Sequence, residues 1–427
     1  MYNHTAAAIS TQSSNFSSLL ISANERRILR KYAKRIKEIS ERAAEKEKAR
    51  LWYVHNDLGK CRPLVFCDPE NGWSEIIIED KLQCESELAR EIEIRLLKEI
   101  FWADRMKDDK VIDDIFYLPY CAAESGYGMA CVSRKSQLNG SMAWEPPLTD
   151  YSMLDKLHFS EITVDYEKTD ELLNAVRDIF GDILDVRVRG NWWWTLGITY
   201  DLVFLRGMEN MLTDMYDEPE NLNKLLRLLT DSNLKKLEFL EKNNLLSLNS
   251  GNIYVGSGGF GFTKQLPQKD FSGRVRTADM WGFTESQETC DISPEMFGEF
   301  IFPYLYEIAA KFGLNCYGCC EPLHDRFDIV RKIPNLRRIS VSPWADFNNM
   351  AERLGERYIL SYKFNPAYLA VSDIDAGFIR AELRKYIKKA HDNNCVLEII
   401  MKDNHTLANR PENAVTWCRI AQEEATA

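Results

Sequence analysis

From Asp185 onward the chain alternates short apolar runs with longer amphipathic stretches, and this rhythm limits its fold more than any other feature. The runs DVRVRGNWW, NIYVGSGG, LNCYG, LRRISVSP, RYILSYK and VLEIIMK each read as a strand. Between them lie helix-like segments such as SPEMFGEFIFPYLYEIAAKFG and DAGFIRAELRKYIKKAHDN. The first of these opens with proline, whose missing amide is no loss in a first turn. Strand, crossover helix and strand in series predict parallel pairing. So many units in a row predict an α/β fold closed as a (β/α)8 TIM-type barrel, whose chemistry would sit where strands end and βα loops begin.

Upstream the rhythm is looser. PLVFCD (63–68) reads as a buried strand and SELAREIEIRLLKEIFWADRM as a helix. IDDIFYLPY and EITVDY read as strands in an insertion around 107–165 of a barrel domain spanning 61–427. Residues 1–60 precede it as a Ser/Thr/Asn-rich tail and an N-terminal helical extension. There Ser22 and Glu25 have the spacing of a capping box, each side chain satisfying an orphan amide of the first turn. Ile28, Tyr32, Ile36, Ile39 and Ala43 form one narrow apolar stripe on a charged surface. Such a stripe is expected to lie on the main domain or form the seam of a homodimer, with a partner-binding or basic recognition helix as the other reading. The glycine-rich GSGGFGF (256–262) lacks the Lys-Ser ending and following helix of a phosphate cradle, and is expected to act as a flexible substrate lid.

The odd polar residues keep step with this scheme. Glu285, Gln287 and Glu288 come after NIYVGSGG and its long loop, just before the helix start at Ser293-Pro294, and Cys319, Cys320 and Glu321 follow LNCYG. Asp346 follows RISVSPW, Lys363 closes YILSYK, and Asp403 and His405 follow LEIIMK. If the barrel closes, all of them face one mouth. Cys319 or Cys320, with Glu321 and His405, would supply the sulfur, oxygen and nitrogen ligands of a zinc with one position open. Asp403 and Asn404 would then orient the His405 ring. The competing reading is burial, because free cysteine is among the most buried residues, and Cys316 is expected to pack. Glu285 and Glu288 are candidate acids, and Gln287, Lys363 and Asp403 candidate substrate contacts. Trp194, Trp281 and Trp344 are candidate walls of an apolar pocket, as against plain packing.

A net charge of −11 argues against a general nucleic-acid binder, which needs surplus cations for phosphate. No run of about 18 uncharged apolar residues occurs, so no membrane span is expected. The opening residues lack the basic and apolar regions of a secretion signal. Eleven cysteines, an odd number, suit the free thiols of a reducing cytoplasm.

The stretches NWWWTLGITYDLVFLRG, ADMWGFTESQETCDISPEMFGEFIFPYL, YGCCEPLHDR, SVSPWAD, LSYKFNPAYL and MKDNHTLANRPENAVTW run in order over roughly residues 185–417. Together they resemble the uroporphyrinogen decarboxylase-like superfamily, and the resemblance implies a TIM-type barrel. It is nearer to the corrinoid-dependent methyltransferase branch than to the true decarboxylases. The latter hold propionates with an arginine-rich N-terminal stretch, where this chain has CRPLVFCDPENGWSEI with Arg62 alone. In the methyltransferase branch a His-x-Cys pair and a later Cys hold zinc. YGCC puts Tyr317 at the histidine and Cys319 at the first cysteine, and MKDNHT leaves His405 or Asp403 for the last. Fewer thiolates make zinc a harder Lewis acid, suited to an oxygen or nitrogen leaving group. The resemblance thus implies a zinc-dependent methyltransferase moving a methyl group between a small O- or N-methylated compound and a corrinoid. DNHTLA is similar to the cobalt-ligating start of corrinoid-binding modules, but Ala408 replaces their glycine, so the corrinoid is expected on a separate protein. Two other readings stand beside this one. In the first, a metal-free decarboxylase or lyase uses Lys363 with Arg337 or Arg338 to clamp a small carboxylated substrate. In the second, the barrel binds small molecules without turnover.

Overall fold

A computed structural model describes residues 16, 18–129, 132–135 and 142–427, so most of the expected N-terminal tail lies outside the described residues. Eight strands pair in parallel: β1 (Leu64–Cys67), β2 (Ile115–Leu118), β3 (Asp185–Val188), β4 (Trp281–Thr284), β5 (Leu314–Tyr317), β6 (Leu336–Val341), β7 (Ile359–Lys363) and β8 (Val396–Met401). Six form one sheet in the order β1-β8-β7-β6-β5-β4, while β2 and β3 form a separate pair. Side chains, not further strands, meet the sheet edges. Asp109 accepts from the Val65 amide at 2.8 Å and Asp108 from the Cys67 amide at 2.9 Å. At the other edge Asn249 exchanges two 2.9 Å hydrogen bonds with the Trp281 backbone. Edge amides are thereby satisfied without another ladder. The ladders join six strands and two strands; they do not by themselves draw the predicted eight-strand ring.

All six strands of the sheet point the same way, so their carboxyl ends share one rim. Period-two alternation then sorts the side chains. Arg338 and Ser340 on β6, Ser361 and Lys363 on β7, and Glu398 and Ile400 on β8 share one face. This face is unusually polar, and the glycine-rich segment covers it. NIYVGSGG is not a strand: a single bridge, Tyr254 to Phe260, closes a glycine turn. Nor is GSGGFGF a lid, since Ser257, Phe260 and Phe262 are buried. Gly259, with φ of +103°, lies so close that a Cβ there would stand 2.9 Å from Glu398 Oε1 and 3.0 Å from Arg338 Cζ. Only glycine allows that approach and that backbone conformation.

The N-terminal helix predicted from Ser22 is two helices, α1 (Ala23–Ser40) and α2 (Ala43–Asn56), with the expected Ser22/Glu25 capping box. Of its stripe, Ile28, Ile36 and Ile39 are buried. The end of α2 enters the body of the molecule. Asn56 donates to the carbonyls of Phe260 and Phe262 at 2.7 and 2.8 Å, and the Trp52 indole donates to Asp109 O at 2.7 Å. The long helix expected after Ser293 is broken into Pro294–Met296, a π-turn at Phe297–Ile301 and Phe302–Ala309. Pro303 lacks the amide that a straight helix would need, and a π-turn is one way to re-route the ladder around it.

Candidate active site

The rim brings together what the sequence placed at strand ends. After β5, Cys319 and Cys320 set their sulfurs 3.7 Å apart. After β8, Asp403 approaches, with Oδ2 3.6 Å from Cys320 Sγ. Together with Lys363 at the end of β7, His405, Trp344, Phe364 and Pro366, they line a cavity of about 380 Å3. Cys319 and Lys363 are buried, His405 is exposed, and Trp344, 68% exposed, stands at the mouth.

One group that the sequence reading left out, Lys402, dominates the electrostatics. The buried Lys402 ammonium stands 4.0 Å from Cys319 Sγ and 3.4 Å from Asp403 Oδ1. Ser257, from the glycine turn, lies 3.3 Å from both Cys319 Sγ and Lys402 Nζ. The Cys320 thiol beside it, and Lys402 working against burial, hold Cys319 below the ordinary thiol range, while Cys320 is raised in turn. Despite burial, Cys319 and Asp403 hold Lys402 well above the ordinary amine value. Burial and then the like charge of Lys402 push Lys363 down to about 8, against the weaker opposing pull of Glu398, Cys319 and Asp403. Its Nζ donates to Ser361 Oγ at 3.0 Å.

The expected zinc ligands are differently employed. Both oxygens of the buried Glu321 accept backbone amides, from Ser286 at 3.0 Å and Cys319 at 2.8 Å, so Glu321 ties the ends of β4 and β5 together. Asn404 donates to Asp68 O at 3.0 Å, Asp403 faces Lys402, and His405 Nδ1 lies 3.5 Å from Asn71 Nδ2. Among the described residues no three His, Cys, Asp or Glu side chains are grouped to hold a metal ion. A zinc held by Cys319, Cys320, Glu321 and His405 does not fit these side chains, and the local positive charge comes from Lys402 and Lys363.

Glu285 is fully buried, with Oε2 accepting the Gln287 amide at 3.0 Å. Burial, then Glu288 and Glu321, raise it well above the carboxylate range. Glu288 accepts from Thr199 Oγ1 at 2.7 Å. Neither glutamate, nor Gln287, lines the 380 Å3 cavity. Trp281 packs inward, its indole donating to Gly261 O at 2.9 Å, and Trp194 packs edge-on against Phe283 with Lys402 over its ring at 5.7 Å. Arg338 is committed to Glu398 at 3.0 Å and Asn56 at 2.8 Å, and Arg337 to the Asn56 carbonyl at 2.7 Å, so neither is free to clamp a substrate. The signal that would have found Lys402 was the spacing of Glu398, Ile400 and Lys402, two apart along one face.

The fold and site define an α/β protein with a small, charged pocket at the carboxyl rim of a parallel sheet. Among solved structures, a methyltransferase from Methanosarcina mazei is similar to it over 89% of this chain and 99% of its own, with 12% identity and a TM-score of 0.50. At that identity the likeness is one of fold. No family model and no curated protein matches the chain. Among the described residues no helix is long and apolar enough to cross a membrane.

Proposed function

We propose that this chain is a methyltransferase: a small O- or N-methylated compound occupies the pocket beside Cys319 and Lys363, and its methyl group passes to a corrinoid presented by a separate protein. The corrinoid supplies the nucleophile that takes the methyl carbon. The chain holds the donor and manages the charge left behind. When the C–O or C–N bond breaks, its electron pair stays on the oxygen or nitrogen, which then needs a proton. Lys363 carries the reading: it lines the pocket and, at about 8, is protonated near neutrality yet poised to give that proton up. Cys319 and Lys402 fix the field beside it, and Phe364 and Trp344 offer the donor an apolar wall. Glu285, raised well above the carboxylate range by burial, does not line the pocket, so the role of acid falls to Lys363. We read β2 and β3 as the remaining staves of a TIM-type barrel of the superfamily that the sequence resembles. The fold shared with a methyltransferase supports the reading of methyl transfer. No zinc enters the reading, because the donor set does not fit one. Incubation of the purified chain with cob(I)alamin and a panel of methoxylated and N-methylated compounds tests it. Growth of the methylcobalamin spectrum with at least one donor supports it, and no conversion with any donor overturns it.

A further inference from the structure

A second cavity, of about 60 Å3, opens beyond the end of β3. Arg189, Trp192, Trp194, Asn249, Tyr254 and Trp281 are among the residues that line it. Its walls are built rather than incidental. The Trp192 indole donates to Leu245 O at 2.9 Å and stacks on Tyr120 at 5.4 Å. Gly190 makes room for it, because a Cβ there would fall 2.0 Å from Trp192 Nε1. Asn249 is fixed by its two bonds to Trp281.

Arg189 is the anomaly in this cavity. Its backbone amide extends the pairing of β3 with β2, donating to Leu118 O at 2.8 Å. Its side chain has no hydrogen bond or ion pair among the described residues, and its Nε is sealed from solvent. The Tyr117 ring lies 5.8 Å from its guanidinium carbon. Burial pushes the guanidinium down to about 10, which leaves it a cation at neutral pH. Arg189 as a whole is half-buried, and a partly desolvated charge without a counter-charge persists where something compensates it. The planar fork of a guanidinium matches a carboxylate with two parallel hydrogen bonds. A cavity of this size holds a few waters or one such group. The indole walls supply no further cations for a doubly charged phosphate. Trp194 also carries Lys402 over its ring, so the cavity lies one indole away from the Cys319–Lys402 pair.

We propose that Arg189 and the Trp192–Trp194 turn form a carboxylate-binding subsite, which takes either a small free organic acid or the carboxylate end of a larger molecule. This does not depend on methyl transfer, and its test needs no turnover. Acetate, propionate and benzoate, each against its matched amide, are titrated into the full chain while tryptophan fluorescence and the thermal midpoint are followed. Saturable responses to acids but not to amides are expected, weakened at least about tenfold in Arg189→Met and partly restored in Arg189→Lys. Response to acetate alone identifies a free small acid as the ligand, and response to benzoate identifies the end of a larger one. If Arg189→Met fails to fold, Gly190→Ala, which displaces the Trp192 wall, is expected to weaken binding in its place. No saturable response to any acid, or equal responses from wild type and variants, overturns the proposal. Absence of methylcobalamin formation beside intact acid binding would remove the proposed function and leave this subsite standing.

Discussion

The polar face of the sheet carries two layers of buried charge, and they are built on opposite plans. At the floor, Glu398 meets Arg338 at 3.0 Å and the His55 ring at 3.1 Å, and Arg338 reaches Asn56 as well. At the rim, Lys402 stands 4.0 Å from Cys319 Sγ and 3.4 Å from Asp403 Oδ1, and Lys363 feels the charge of all three. Burial opposes charge in both layers, with contrary results. Against its upward push, Arg338 and His55 hold Glu398 at about 2. At Lys363, burial and the like charge of Lys402 outweigh the pull of Glu398, Cys319 and Asp403, and it falls to about 8. Floor charges are matched to one another, whereas the rim is left incompletely matched, which is where a substrate has something to add.

The largest effect should come from Lys363→Met. Loss of a general acid costs about 10²- to 10⁴-fold in kcat. The thermal midpoint should hold or rise, because an unmatched buried ammonium is removed. Methylcobalamin formation and a melting curve on the same preparation check both halves. An unfolded variant would place Lys363 with the floor and erase the contrast.

Glu398→Ala should do the reverse. It strands Arg338 in the interior, and breaking a buried pair costs about 3–5 kcal/mol. Urea unfolding reads that loss, while activity per folded molecule should persist. A stability change below about 1 kcal/mol would mean that the floor network is not structural.

The pH dependence sharpens the same difference. The folded-state value of Lys363, about 8, lies below its ordinary 10.5. Its burial cost is therefore fully present at neutral pH and is relieved as pH rises from about 8 towards 10.5, so this group's share of stability increases through that window. Activity should move the other way, falling about tenfold per pH unit above 8 as the acid form is lost. Glu398 behaves oppositely: its contribution is complete above its ordinary 4.5 and is lost as pH falls towards 2. A rate profile flat from pH 7 to about 10 would remove Lys363 from the proton transfer.

The strands β5 to β8 were legible because apolar runs bounded by turns leave few alternatives. The insertion's irregular strands and the turn at Tyr254–Phe260 were less so. A glycine cluster reads the same whether it swings over a pocket or packs against a charged face, and only the neighbours it meets in three dimensions decide. At the site, the gathering of Cys319, Cys320, Lys363, Asp403 and His405 on one rim followed from parallel topology alone. The use of Glu321 did not, because the amides of Ser286 and Cys319 that claim it become orphans only once β4 and β5 end side by side. Lys402 was hidden as the last letter of an apolar run, where a lysine ordinarily points to solvent.

The smallest effect expected is also the most discriminating for the rim. If Lys402 is the counter-charge of Cys319, then Lys402→Met should shift the pH midpoint of Cys319 alkylation upward, since the thiolate loses its nearest cation. Mass spectrometry of the Cys319 peptide separates this from the exposed Cys290. Metal analysis of the wild type should find less than about half an equivalent of zinc. A stoichiometric zinc together with an unmoved alkylation midpoint would show that a metal, not an ammonium, compensates these sulfurs. The side chains would then have to regroup, with Cys319, Cys320 and Asp403 turning towards a common ion, and the rim would join the floor as a matched set.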